Sequence, residues 1–146
     1  MKKIVNPFFV VLIFLIVSCS TEPQPINYGS DACDFCRMTI SDKRFGCEFV
    51  TKKGKVYKFD SIECMIQYIN ANHFMQDQLA RVLVSDYSNS DHFMEASSAI
   101  YLESENLKSP MVKGLAAFEK KNELEKIKQQ FGGQDNSWDE LLKKIK

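Results

Sequence analysis

The sequence carries no surplus of charge: 19 Lys and Arg face 19 Asp and Glu, for a formal net charge of zero. Non-specific nucleic-acid binding depends on excess cations, so this balance argues against it. The chain also lacks an apolar run long enough to cross a bilayer. The longest, Phe8 to Val17, has ten residues, against about twenty for a spanning helix. Histidine is scarce. His73 and His92 stand alone, without ligand spacing, and are expected on the surface or in loops. No second Cys-x-x-Cys accompanies the one at Cys33 and Cys36, so a structural zinc site lacks two well-spaced ligands.

What is present begins with an export signal. Lys2 and Lys3 precede the short apolar run, and small residues follow it. Leu15-Ile16-Val17-Ser18-Cys19 looks like a lipobox, in which the signal is cut before the cysteine and the cysteine is acylated. Ile16 stands where leucine is usual, and ordinary cleavage would instead leave Cys19 a free thiol. Removing residues 1–18 leaves 128 residues with 17 bases and 19 acids, enough for a modest core. Ser20 to Asp31, with two prolines, a glycine and small polar residues, is expected to be flexible. The division is a lipoprotein signal over 1–18, a tether over 19–30 and one folded domain over 31–146.

Within that domain, Phe45–Thr51 and Lys55–Phe59 predict a hairpin turning at Lys52-Lys53-Gly54. Asp60 is then expected as a helix N-cap, with Glu63 closing a capping box. Ile62, Met65, Ile66 and Ile69 follow at helical spacing. Arg81–Ser85 predicts a buried strand, Asp86–Asp91 a polar loop and Ala99–Leu102 another strand. Leu115–Phe118 fits either a strand or a helix start. Leu124, Ile127 and Phe131 form a helix face stopped by Gly132-Gly133. Ser137 and Glu140 cap a last helix with the stripe Trp138, Leu141, Leu142 and Ile145. Strand pairs followed by helices predict an α+β fold. A faint echo between Tyr57–Asp60 and Ala116–Glu119 suggests two small strand–strand–helix units packed together.

The chemistry lies in sulfur. Cys33, Cys36 and Met38 sit in six residues, where a tight turn can aim three sulfurs at one point. Thiolate with thioether favours a soft ion such as Cu(I). A redox dithiol, a zinc site and a structural disulfide remain open on spacing alone, the last because exported proteins meet an oxidising compartment. A thioredoxin-like site would have a strand before the pair and a helix after it, and no strand precedes this one. Cys47, in a strand, is expected to be a small buried hydrophobe. Cys64 falls off its helix stripe in the first turn, where a helix N-terminus lowers a thiol pKa, and is a second-tier ligand candidate. Met65, Met75 and Met94 are expected to pack. Met111 follows Pro110 and precedes Val112-Lys113-Gly114, a loop with no core stripe to claim it.

These blocks, in order, resemble the NosL family, copper-binding accessory lipoproteins of nitrous oxide reductase assembly. The resemblance rests on the lipobox at Cys19, on Cys33–Ile40, Phe59–Met65, Val84–Tyr87, Ala96–Tyr101 and Pro110–Phe118, and on the closing Gly132-Gly133 and Trp138–Leu141. The chain departs at Arg37, where the family usually has glycine, and at Val112, where it often does. The resemblance implies an α+β fold of two repeated units, similar to part of organomercurial lyase. It implies a non-enzymic Cu(I) carrier with Cys33, Cys36, Met38 and Met111 as ligands, Cys19 as the lipidated residue and a place in the cell envelope. That place is outside the cytoplasmic membrane, on its periplasmic face or on the outer membrane. The expected partners are a copper enzyme such as nitrous oxide reductase and its membrane-bound maturation machinery. The alternative is an extracytoplasmic thiol–disulfide oxidoreductase using Cys33 and Cys36.

Overall fold

The computed structural model describes residues 20–111 and 113–146; the expected signal segment and Cys19 lie outside the described residues. The predicted hairpin is formed by β1 (Cys47–Thr51) and β2 (Val56–Phe59), and it runs into α1 (Ile62–Ala71). After a short 3-10 turn come β3 (Leu79–Asp86), β4 (Asn89–Glu95), β5 (Ile100–Glu103) and β6 (Leu115–Phe118), then α2 (Lys121–Phe131), β7 (Gln134–Asn136) and α3 (Trp138–Lys144). All pairings are antiparallel. One sheet has the order β2-β1-β3-β4 and the other β6-β5-β7.

The architecture is α+β with two strand–strand–helix units, β1-β2-α1 and β5-β6-α2. Each pair gains a further strand on the free side of its first member, β3 beside β1 and β7 beside β5. The echo between Tyr57–Asp60 and Ala116–Glu119 falls at equivalent places: Phe59 and Phe118 each end a strand three residues before a helix begins.

Alternation along β1 divides the first sheet's two faces. Cys47 and Phe49 point toward α1, where Phe49, Tyr57, Phe59, Tyr68 and Phe74 form a cluster of aromatic rings. The main core lies here, with Met65, Ile66 and Ile69 fully or nearly buried. The second sheet is wedged between this core and α2. Tyr101 and Leu115 face the main core, while Leu102 and Phe118 join Leu124 of α2 in a smaller cluster. Tyr87 N–H donates to Ala117 O at 2.8 Å and links the two sheets. Among the described residues, no helix is long and apolar enough to cross a membrane.

Several expectations shift. Leu115–Phe118 is a strand, buried along its whole length. Asp86–Asp91, expected as a loop, turns only at Tyr87-Ser88 and then enters β4, an edge strand too polar to announce itself; His92 lies within it. Polar β7 escaped for the same reason. Met75, expected to pack, is 66% exposed. The helix N-cap is Ser61, not Asp60: Ser61 Oγ accepts from Cys64 N–H at 3.2 Å. Moving the cap by one residue removes the expected Asp60/Glu63 box and leaves both carboxylates for other work.

The end of the expected tether belongs to the fold. Ile26 is buried, and Tyr28 packs so closely on Gly46 that a Cβ there would fall 2.6 Å from the phenol oxygen. Lys58 Nζ donates to Pro25 O at 2.8 Å and pairs with Asp31 at 2.7 Å. This strap crosses the face of the first sheet opposite α1.

Candidate metal centre

The Cys-x-x-Cys loop is a small hairpin closed by a bridge between Ala32 and Thr39. Inside it, Cys33 N–H donates to Met38 O and Arg37 N–H to Cys33 O. The loop hooks onto the outer edge of β2: Asp34 N–H donates to Lys58 O at 2.9 Å, and Lys58 N–H to Asp34 Oδ2 at 2.8 Å. Edge strand β2 has unpaired backbone groups on that side, and the loop satisfies them. The hook brings Cys33 and Cys36 to the point where β2 ends at Asp60 and α1 begins.

Four side chains meet there. Ligand atoms of Cys33, Cys36, Asp60 and Cys64 all lie within 4.8 Å of one another. Cys33 and Cys64 are fully buried, Asp60 is nearly so, and Cys36 is half-buried, the one thiol of the group open to solvent. Cys36 Sγ donates to Asp60 Oδ2 at 3.6 Å. Asp60 Oδ1 is buried without a hydrogen-bond partner, and a buried carboxylate oxygen left bare is costly unless something arrives to meet it. Three thiols with one such oxygen suit a soft, thiophilic cation.

The thiols are electrostatically unequal. Cys33 is lowered to about 6, first by the Cys64 thiol hydrogen-bonded to it and then by backbone N–H groups of Asp60, Cys36 and Phe35, which together outweigh its desolvation. Cys64 is pushed up, because its proton serves that hydrogen bond and burial beside the Cys33 thiolate disfavours a second charge. This reverses the expectation that the helix N-terminus would lower Cys64: a neighbouring thiolate outweighs a partial dipole charge. Burial raises Cys36. Cys47 is raised well above normal by complete burial and contributes no donor to the group, as expected of a small core residue.

The methionines are placed differently. Met38 is on the same loop and 47% exposed. Met111 lies between β5 and β6, partly buried against the main core. Its loop is tied to the site through Glu63: Ser109 Oγ donates to Glu63 Oε1 at 3.3 Å and accepts from Gly114 N–H at 3.0 Å. Gly114 has φ +66°, and a Cβ there would collide with the Ser104 carbonyl, so glycine is needed to close the loop.

Sequence reasoning brought Cys33 and Cys36 to the site. It ranked Cys64 second and took Asp60 for a cap. The available signal was that Cys64 fell off the apolar stripe, and that Asp60-Ser61 offered two cap residues where one suffices.

Arg37 has φ +67°, in the left-handed region that glycine adopts without strain. Its pairing with Asp34 is long, 3.8 Å, and exposed, so it compensates little. Arg37→Gly should therefore raise stability by about 0.5–1 kcal/mol, measured by urea unfolding of the metal-free protein. A loss of stability would show that the turn is unstrained.

Comparison with known proteins bears on the fold and the family. A crystal structure described as the copper chaperone NosL from Shewanella denitrificans matches with a TM-score of 0.69 at 23% identity, covering 83% of this chain and 96% of that one. At this identity the likeness establishes the fold. No curated protein sequence matches the chain. The NosL family model matches residues 25–145, from the strap through the last helix. The chain belongs to the NosL family.

Proposed function

We propose that this protein is a membrane-tethered Cu(I) chaperone outside the cytoplasmic membrane, delivering copper to a copper enzyme, nitrous oxide reductase in the family's pattern. The observation that carries the reading is the convergence of three thiols around one half-open sulfur. Among the thiols copper reaches Cys36 first, because it is the open one, and passes inward to the Cys33 thiolate. Met38 and Met111 complete the expected set, and Cys64 offers a third thiolate. Handover runs the same path outward, as acceptor ligands replace the sulfurs one at a time. The solved relative's description as a copper chaperone supports this reading.

The oxidoreductase alternative needs an exposed thiolate to attack a disulfide. Here the arrangement is inverted. The acidified thiol, Cys33, has no exposure, and the open one, Cys36, is raised. Titration with Cu(I) against bicinchoninate should find one tightly held ion per chain, and an insulin-reduction assay should find no turnover. Insulin reduction without tight copper would replace the chaperone reading by the enzymic one. The lipid anchor is tested apart: Cys19→Ala should release an exported protein from the membrane fraction, and retention there would remove the tether.

A further inference from the structure

Among the described residues, exposed apolar surface is scarce and concentrated at the cysteine loop. Among the described residues three large apolar side chains are exposed, Phe35, Met38 and Met75. Two of them belong to the six residues from Cys33 to Met38. Phe35, next to the open thiol of Cys36, also walls a groove of about 450 Å³. The groove runs between α1, through Gln67 and Ala71, and the end of α3, through Leu142, Lys143 and Lys146. Phe35, Ala71 and Leu142 supply its apolar lining. Its lining has two lysines and no Asp or Glu side chain.

Those lysines are exposed, and no carboxylate of the described residues forms an ion pair with either. Their helix neighbours are mainly engaged elsewhere: Lys144 pairs with Glu103, and the Glu140 carboxylate accepts from Ser137 N–H and Oγ at the helix cap, with Lys143 a weaker, more distant charge beside it. Arg37, with its side chain 75% exposed, adds a third cation on the loop.

We propose that this groove receives an acidic, amphipathic segment of the copper-accepting protein. The segment sets carboxylates against Lys143, Lys146 and Arg37 and an apolar side chain against Phe35 and Leu142. The proposal rests on the chaperone reading, because an acceptor must come within bonding distance of Cys36, and Phe35 and Arg37 flank that sulfur. Complementary charge would speed and orient the encounter. A concave, partly apolar slot fits a protruding chain segment better than a flat layer of anionic lipid headgroups.

The test uses the Cys19→Ala chain, a short amphipathic peptide with glutamates on one face and Leu and Met on the other, and a counterpart with lysines for glutamates. In amide NMR spectra the acidic peptide should shift Phe35, Gln67, Ala71, Leu142 and Lys143, and the lysine peptide should not. The double variant Lys143→Glu, Lys146→Glu should weaken acidic-peptide binding about tenfold or more, and salt should weaken it in the parent chain. Phe35→Ala should weaken it at constant charge. Cu(I) affinity against bicinchoninate should be unchanged in the lysine variant. Equal shifts with both peptides, shifts confined to another surface, or lysine-dependent uptake onto phosphatidylglycerol vesicles without peptide binding would each overturn the proposal. Failure of the copper reading is separately visible, as loss of Cu(I) binding in the parent chain with groove binding intact.

Discussion

Replacing Cys33 and Cys36 together by serine should reduce Cu(I) affinity about a thousandfold or more, roughly 4 kcal/mol. It removes the lowered-pKa thiol at Cys33 and the solvent-open thiol of Cys36, the proposed point of copper entry. Met38→Leu or Met111→Leu keeps the volume and deletes only a thioether, so each should cost less, about 1–3 kcal/mol. Proton release separates the possible donor sets. Cys33, lowered to about 6, is already largely ionised at neutral pH, whereas Cys36 and Cys64 are raised and still hold protons. A metal that takes a protonated thiol must expel its proton. Between pH 7 and 8, the logarithm of affinity should rise by about one per pH unit if Cys36 alone joins Cys33, and by about two if Cys64 joins as well. Cys64→Ser should then remove the second proton. A pH-independent affinity, or full affinity in the double serine variant, would place the metal elsewhere.

Glu48→Gln should stabilise the protein at alkaline pH by about 2–3 kcal/mol. Glu48 lies on β1, 2% exposed beneath the strap, with Oε2 unpartnered. Burial raises its carboxyl from 4.5 to about 7, against the opposing Gln24 amide, Lys58 and Arg81. A carboxyl with a higher pKa in the folded state holds its proton more tightly there. Its favourable contribution is complete below the unfolded value of about 4.5 and is lost as pH rises through about 7. The parent chain should therefore lose stability between pH 5 and 8 in urea unfolding, and the glutamine variant should lose much less. Glu63, raised chiefly by burial, leaves a residual slope of the same sign. An unchanged slope in Glu48→Gln would mean that this carboxyl is solvated in the folded state.

The parts of the fold legible in the sequence were those with a strong periodic signal. The β1-β2 hairpin, α1 and α3 announced themselves through alternation, turn residues and apolar stripes. Strands β4 and β7 did not, because β4 is polar over Asn89–His92 before Phe93 and Met94, β7 is polar throughout, and backbone pairing to β3 and β5 holds both. The strap escaped for another reason: Pro25, Gly29 and their polar neighbours have the composition of a linker, and only Ile26 and Tyr28 offer an apolar signal that the segment is held down. At the site, spacing could bring together Cys33 and Cys36, six residues with Met38. It could not bring together Cys36 and Asp60, 24 positions apart, because their meeting depends on a loop hooking onto the edge of β2. The unequal thiols were equally invisible, since the lowered pKa of Cys33 comes from the Cys64 thiol and from backbone amides supplied by two separate segments.

The strap also sets a working radius. Anchored by the proposed lipid at Cys19, a tether of the length first expected would let the domain range about 40 Å from the bilayer. With Gln24 facing Glu48 and Pro25 fastened to Lys58, only about five residues separate Cys19 from the fastened segment, a span of at most roughly 18 Å, less than the width of the domain itself. Such a leash restricts rotation as well as distance. If Cys19 is lipidated, the leash would hold the strapped face of the first sheet toward the lipid and turn α1, with the groove beside it, away from the membrane. Copper acceptors would then meet the protein from the aqueous side, with the open sulfur already presented to them.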